Sequence, residues 1–259
     1  MKATPTELMT VMISRLFEDH KVVFAGVGTP LLAAALAIRR QAPHLTVVLE
    51  GGIIGTKLSP GRLPISTNEM RAAFRAPMLT DVTDIFLYAQ RGFFDYGVLG
   101  TAQIDKYGNV NTSLIGSAKA PKVRLPGSGG ANDIISLCSQ TLIVTTHERR
   151  RFVEQVDFVT SPGYLSGGGS RRRAGLTFGR LGHVVTDLAL LDFEEESKRM
   201  RLCGLHEGVS VEDVQAATGF ELFIAEEVEQ LAPPTDTELS ILRELTGDPS
   251  LPAVIGGTS

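Results

Sequence analysis

The sequence predicts an α/β protein: an open, mostly parallel sheet flanked by helices, with an antiparallel later portion. Three observations carry that expectation. Short apolar runs alternate with helix-period segments through the first 50 residues, the pattern of strand–helix–strand units. Beyond residue 100, strand-like runs are separated by turn signals instead, led by Gly108-Asn109. With 259 residues, 43% of them hydrophobic, the chain can bury one large core, and the reading is a single domain over residues 1–259.

Taken in order, Leu8, Met9, Met12, Ile13, Leu16 and Phe17 form a helical stripe, with Thr6 as its expected N-cap. Lys21-VVFAGVG reads as a short buried strand. Thr29-Pro30 opens a second helix, LLAAALAIRRQ, because Pro suits the first helical position. Pro43 closes it, and LTVVLE is the next strand, so a parallel βαβ unit is expected.

Asp84-IFLYAQRG and Tyr96-GVLGTAQID read as strands or strand–helix pieces, and Gly108-Asn109 as the turn of a hairpin. Ser139-QTLIVTTHE, Arg151-FVEQVDFVTSP and Arg180-LGHVVTDLALLDF are further strand candidates. Val211-EDVQAATGFEL reads as a helix ending on a left-handed Gly219, and Thr237-ELSILRELTG as a last helix of the same form.

The loosest stretch is Ser161-PGYLSGGGSRRRAGLTFG. It reads as a mobile surface loop, with an interface or anion contact through Gly167–Arg173 as the alternative. The Arg149-Arg150-Arg151 run reads as a solvated strand edge.

The formal charge of −4 gives no basic excess, so nucleic acid is not an expected partner. Cys138 and Cys203 stand 65 residues apart without metal-ligand spacing, which predicts inert thiols in a reducing compartment, a cytoplasmic setting and no metal. No 18-residue apolar run occurs, so no membrane span is expected. The first 20 residues, broken by Glu7, Glu18 and Asp19, lack the apolar centre of a secretion signal.

The chemistry concentrates in TVVLEGGIIG, residues 46–55. A strand ends on Glu50, and two glycines follow. One reading is a dinucleotide fold: Gly26-Val27-Gly28 follows a strand, and Glu50 lies 22 residues after Gly28. The fingerprint fails because Leu31 replaces its third glycine and Pro30 removes an N–H from the helix start. The other reading makes Glu50 a nucleophile at a strand C-terminus, where ligands of open α/β sheets bind. Gly51 and Gly52 then leave it open to a bulky reactant and expose N–H donors. A strand-end acid paired with arginine or capping a helix is the purely structural alternative. A second glycine-rich loop, Gly127-Ser128-Gly129-Gly130-Ala131, stands before a helical run and offers further N–H groups.

At these residues the sequence resembles the family I coenzyme A transferases, in particular glutaconate-type β subunits. LEGGIIG resembles the family's E-[NSG]-G-x-x-G motif, and GSGGAND its G-x-G-G-A-x-D loop. GVGTP, AQIDKYGNVNTS and HERRRFVEQVDFVTSPG resemble the corresponding family stretches, so the likeness runs from about Thr6 to about Gly247. Gly51 is a departure, since many relatives carry Asn there and glutaconate-type members often Ser.

The resemblance implies that Glu50 is the catalytic nucleophile of a ping-pong transfer through a glutamyl-CoA thioester. Gly51, Gly52, Gly127, Ser128, Gly129, Gly130 and Ala131 would serve the oxyanion or the CoA. It implies coenzyme A as co-substrate with no bound cofactor, and a small, dicarboxylic or other, carboxylic acid as acceptor. The family's Gly-Gly-Phe type CoA signature is absent here. That implies a separate α subunit in a hetero-oligomer, α2β2 or larger.

Two other functions stay open: an acyl-CoA hydrolase or decarboxylase on the same scaffold, or a non-catalytic ligand-binding subunit. His20, His44, His147, His183 and His206 are scattered and read as surface or packing histidines. Tyr107 and Asn109 read as hairpin residues. Arg75 and Arg91 are candidates for neutralising a substrate carboxylate, with nothing to choose between them.

Overall fold

The computed structural model describes residues 2–247, and the expected domain over 1–259 runs beyond them at both ends. The chain divides into two compact units. Of the described residues, one unit holds 2–99 together with 234–247, and the other is Gly100–Pro233.

In the first unit, α1 (Pro5–Arg15) starts slightly earlier than its apolar stripe suggests. Thr4, not Thr6, is the N-cap. Its hydroxyl accepts the Glu7 N–H while the Glu7 carboxylate accepts the Thr4 N–H, and Pro5 fills the first helical position. Then follow β1 (Val22–Ala25), α2 (Thr29–Arg39) and β2 (Thr46–Leu49). β1 and β2 pair in parallel with Phe24 opposite Val48, as the βαβ reading expects. β2 turns back through β3 (Ile53–Ile54). A long excursion with a single 3₁₀ turn at Met70–Ala73 leads to β4 (Met78–Leu79).

Of residues 84–92, read as strand or strand–helix, those up to Gln90 belong to a helix, α3 (Val82–Gln90). Asp81 caps it by accepting the Asp84 N–H. β5 (Tyr96–Gly100) completes the strand order β5-β1-β2-β3-β4.

The second unit opens with the expected hairpin, β6 (Gln103–Ile104) and β7 (Val110–Asn111). Gly108 takes φ +71 in its turn, and the buried Asp105 accepts the N–H groups of Tyr107 and Asn109. A second hairpin follows, β8 (Leu114–Ser117) and β9 (Ala120–Arg124), then α4 (Ala131–Leu137) and β10 (Gln140–Val144).

Residues 151–161 form no strand. They run alongside the first hairpin with isolated bridges at Ile104↔Phe152 and Val110↔Ser161, and Arg149–Arg151 lie in a turn rather than on a strand edge. The glycine-rich stretch is not loose either. It carries a short helix, α5 (Ser170–Arg173), and Arg171 is only 4% exposed. The Arg171 guanidinium donates to the carbonyls of Pro162, Gly163, Ile135 and Phe178.

The run from Arg180 is two strands, β11 (Arg180–Val185) and β12 (Ala189–Phe193). They continue antiparallel into β13 (Met200–Leu205), the expected later antiparallel portion. α6 (Val211–Ala216) is followed by β14 (Phe223–Gln230), giving the order β14-β13-β12-β11-β10. Gly219 is not a left-handed cap, for the helix ends on Ala217. Instead its Cβ position is filled by the Phe152 carbonyl oxygen.

The chain then returns to the first unit with α7 (Asp236–Thr246), which ends on left-handed Gly247 as predicted. There Val11, Leu32, Ala35, Leu36, Leu242 and Leu245 form one core between α1, α2 and α7.

Candidate active site

β2 is buried through Val47, Val48 and Leu49, so its end is fixed. Glu50 is the first residue beyond it, half-buried, at the C-terminal end of three parallel strands. The β1–β2 register brings the turn Gly26-Val27-Gly28 level with it. The Cβ positions of Gly26 and Gly28 have nothing within 4 Å, so that turn presents bare backbone. Among the described residues, no hydrogen bond or ion pair holds the Glu50 carboxylate. The arginine-paired or helix-capping alternative is therefore not what the structure shows.

The glycines after Glu50 have a reason the sequence did not disclose. A Cβ on Gly51 would collide with the Asn68 side-chain oxygen and lie 2.9 Å from the Asn68 Cα. A Cβ on Gly52, at φ +94, would collide with the Thr80 carbonyl. The Thr80 N–H in turn donates to Gly52 O at 2.8 Å. Residues 67–81 thus press on this turn. The room expected for a thioester on the side-chain side of Gly51 and Gly52 is filled by the Asn68 side chain and by main-chain atoms of Thr67, Asn68 and Thr80. The Gly52 N–H donates to Leu49 O at 3.1 Å, whereas the Gly51 N–H has no partner among the described residues.

In the second unit, the Gly127–Ala131 loop is tied at both ends. The Gly127 N–H donates to Thr112 O and the Thr112 hydroxyl to Gly127 O, both at 2.8 Å. The Ala131 N–H donates to Ser128 O at 2.9 Å, and the Asn132 N–H to the Ser128 hydroxyl at 3.2 Å. Among the described residues, that leaves the N–H groups of Ser128, Gly129 and Gly130 unpartnered. Gly127 (φ +99) and Gly129 (φ +47) have no neighbour at their Cβ positions. Of the five residues expected to act in this loop, three keep a donor to offer.

The histidines divide by environment. His147 is 5% exposed, stacks on Phe152 and bonds Thr186 and Thr218 through its two ring nitrogens. Burial pushes its pKa down to about 4, so it is a neutral core group at neutral pH. His20 and His44, 24 residues apart in sequence, stack with ring centroids 4.4 Å apart beside Asp19. This is the one group among the described residues that brings three metal-ligand atoms together. Its rings are 6° from parallel, so their in-plane lone pairs do not converge on one ion. Arg75 lies 5.2 Å from the Phe74 ring centroid, and Arg91 caps α3 at the surface.

Apart from Gly55 of the motif and Arg75, nothing read from the sequence anticipated the segment 55–77. A connection that long between two-residue strands is uncommon, and its punctuation could have flagged it: Ser59-Pro60-Gly61 stands near its start and Pro64 follows.

The coenzyme A transferase family model matches residues 6–217. This chain belongs to the coenzyme A transferase family. The 3-oxoadipate CoA-transferase B-subunit of Pseudomonas knackmussii is 39% identical over 240 residues, 92% of each chain. The glutaconate CoA-transferase B-subunit of Acidaminococcus fermentans is 38% identical over 248 residues, 93% of this chain and 91% of that one. The crystal structure of glutaconate coenzyme A-transferase from Acidaminococcus fermentans superimposes with a TM-score of 0.88 at 34% identity, covering 96% of each chain. As a coenzyme A transferase, the chain has the α/β architecture its sequence predicted. No helix among the described residues is long and apolar enough to cross a membrane.

Proposed function

We propose that this chain is the nucleophile-bearing β subunit of a two-subunit CoA-transferase that moves CoA between an acyl-CoA and a small carboxylic acid. The observation that carries the reading is Glu50: a carboxylate without a partner among the described residues, fixed by a buried strand at the ligand-binding end of parallel strands. Each of the two relatives is named as the B-subunit of its enzyme, which supports a partner α subunit; the assembly proposed with it is a hetero-oligomer, α2β2 or larger. Both relatives are named for dicarboxylic acids, which supports an acceptor of that class. A cytoplasmic setting goes with this reading.

A Glu50 carboxylate oxygen attacks the thioester carbonyl carbon. The C–S bond breaks, CoA leaves as thiolate, and a mixed anhydride remains. The thiolate attacks the Glu50 carbonyl carbon of that anhydride, releasing the first acid as its carboxylate and leaving a glutamyl-CoA thioester. An acceptor carboxylate then runs the same two steps in reverse. The free N–H groups of Ser128, Gly129 and Gly130 are the donors offered to the acyl-CoA, and that of Gly51 is the donor nearest Glu50 in the chain. One lost oxyanion donor costs about 10²–10³ in rate in other enzymes. The residues that act are all side-chain or main-chain groups of the protein, with CoA as co-substrate.

The test is to co-express the chain with its partner subunit and supply acyl-CoA alone. Borohydride or hydroxylamine then traps the adduct for mass spectrometry. A modified Glu50, absent in Glu50→Gln, is the expected result. Full turnover by Glu50→Gln would remove the nucleophile assignment. Product formed without any acceptor acid would point to a hydrolase or decarboxylase instead.

A further inference from the structure

Residues 55–77 build a cavity of about 410 Å³ in the first unit. That is within the roughly 300–1,000 Å³ of small-molecule sites. Its walls include Lys57, Arg62 and Arg71 on the polar side and Met70, Phe74 and Leu79 on the apolar side. Lys57 and Arg62 are exposed, and neither meets a carboxylate among the described residues. Arg71 is held by Glu69 at 2.9 Å, yet half of its side chain remains in water. Three cations therefore face one carboxylate, an excess that suits an anionic ligand carrying more than one charge.

The apolar wall is equally unsatisfied. Met70 is 77% exposed, Leu79 57% and Phe74 52%. Large apolar groups left in water beside a concave surface mark a binding site. A flat aromatic and a thioether beside guanidinium groups suit a stacked base and its phosphates.

This wall is also joined to the turn that bears the nucleophile. Leu79 pairs with Ile53 across β3 and β4, and Ile53 is three residues from Glu50, within about 10 Å along the chain. Thr67 and Asn68, from the same excursion, crowd Gly51.

We propose that this cavity binds the phosphate-bearing adenosine end of the CoA substrate, an inference that rests on Glu50 as the acceptor of acyl-CoA. The excursion then has two jobs: one end crowds the turn after Glu50, and the middle holds the nucleotide. The carboxylate of an acyl group or acceptor acid would use the same cations without the aromatic wall, and the experiment separates the two.

The test uses the co-expressed two-subunit protein and adenosine 3′,5′-bisphosphate as a probe that carries no thioester. Calorimetric titration is expected to show binding that weakens at least tenfold in Lys57→Ser/Arg62→Ser. The kcat/KM for acyl-CoA should fall at least tenfold in that variant, with a smaller change for the acceptor acid. Equal binding by wild type and variant, no binding by the wild type, or a loss confined to the acceptor acid would each overturn the proposal. Glu50→Gln is expected to bind the bisphosphate like wild type. A failure of the nucleophile assignment would therefore show in turnover, and a failure of the cavity would show in the titration.

Discussion

The carboxylate of Glu7 and the guanidinium of Arg243 meet across 236 residues of sequence, with Nε–Oε1 at 2.6 Å and Nη2–Oε2 at 3.1 Å. Glu7 is fully buried, and it is also the carboxylate that closes the capping box of α1. The arrangement is reciprocal. Glu238 closes the capping box of α7 and receives Arg15, from the last turn of α1, at 2.8 Å. Each helix start is thus locked to the other helix's end.

Arg243→Ala strands the Glu7 charge in the interior. Removing one partner of a buried pair costs about 3–5 kcal/mol. Denaturant unfolding should show a loss of that size. Arg39→Ala, which breaks the exposed pair with Glu244, should cost under about 1 kcal/mol.

Acid unfolding should proceed through two windows. Burial depresses the His147 pKa to about 4, against about 6.5 in an unfolded chain. Between those values only the unfolded chain takes the proton, so stability falls as pH drops from about 6.5 to about 4. Burial also opposes ionisation of Glu238, but hydrogen bonds from Arg15 and Thr235 outweigh it and hold the pKa at about 2. That contribution is complete above about 4.3 and is lost as pH falls toward about 2. His147→Gln should flatten the upper window and leave the lower one, as read by urea unfolding at a series of pH values. His183, also pushed down by burial, keeps some slope in the upper window.

Three consecutive arginines should behave differently. Arg171→Met leaves the carbonyls of Pro162, Gly163, Ile135 and Phe178 without their donor, each at a cost of about 1–3 kcal/mol if it stays buried. Arg172→Ala and Arg173→Ala, both exposed, should stay within about 0.5 kcal/mol of wild type. Thermal unfolding of the three single variants decides this; equal losses would mean that the Arg171 contacts contribute nothing.

Gly51→Asn introduces the side chain that the family resemblance leads one to expect after Glu50, yet it should disable this protein. Its Cβ meets Thr67 O and Asn68 Oδ1, so the excursion must shift. Turnover should fall at least tenfold, with proteolysis of residues 55–77 accelerated. Asn68→Gly added to Gly51→Asn should recover part of the loss, because the Asn68 side chain is removed while the Thr67 carbonyl stays. Wild-type turnover in Gly51→Asn would show that the crowding is relieved at no cost.

The βαβ start, the hairpin at Gly108 and the last helix were legible because local signals agree with the tertiary outcome: Pro30 at a helix start, Gly108 at positive φ, Gly247 at a helix end. Residues 151–161 misled because an apolar run can lie beside a hairpin without joining a ladder. Residues 84–90 misled because a short apolar run carries no period that separates strand from helix. Arg171 was illegible since its partners are carbonyls, which sequence does not identify. At the candidate site, Glu50 and the Gly127–Ala131 loop could be singled out locally. Lys57, Arg62 and Asn68 could not, because their relation to the Glu50 turn exists only after β3 and β4 pair.

The interleaved course of the chain bears on its synthesis. The core of α1 and α2 lacks its third wall until α7 has emerged from the ribosome, after the whole of Gly100–Pro233. The internal unit is therefore free to fold while the first remains open, and a nascent chain stalled before residue 236 carries the apolar faces of α1 and α2 bare. Quality control in the cell meets this protein with its internal unit able to fold before the unit that carries Glu50 is closed.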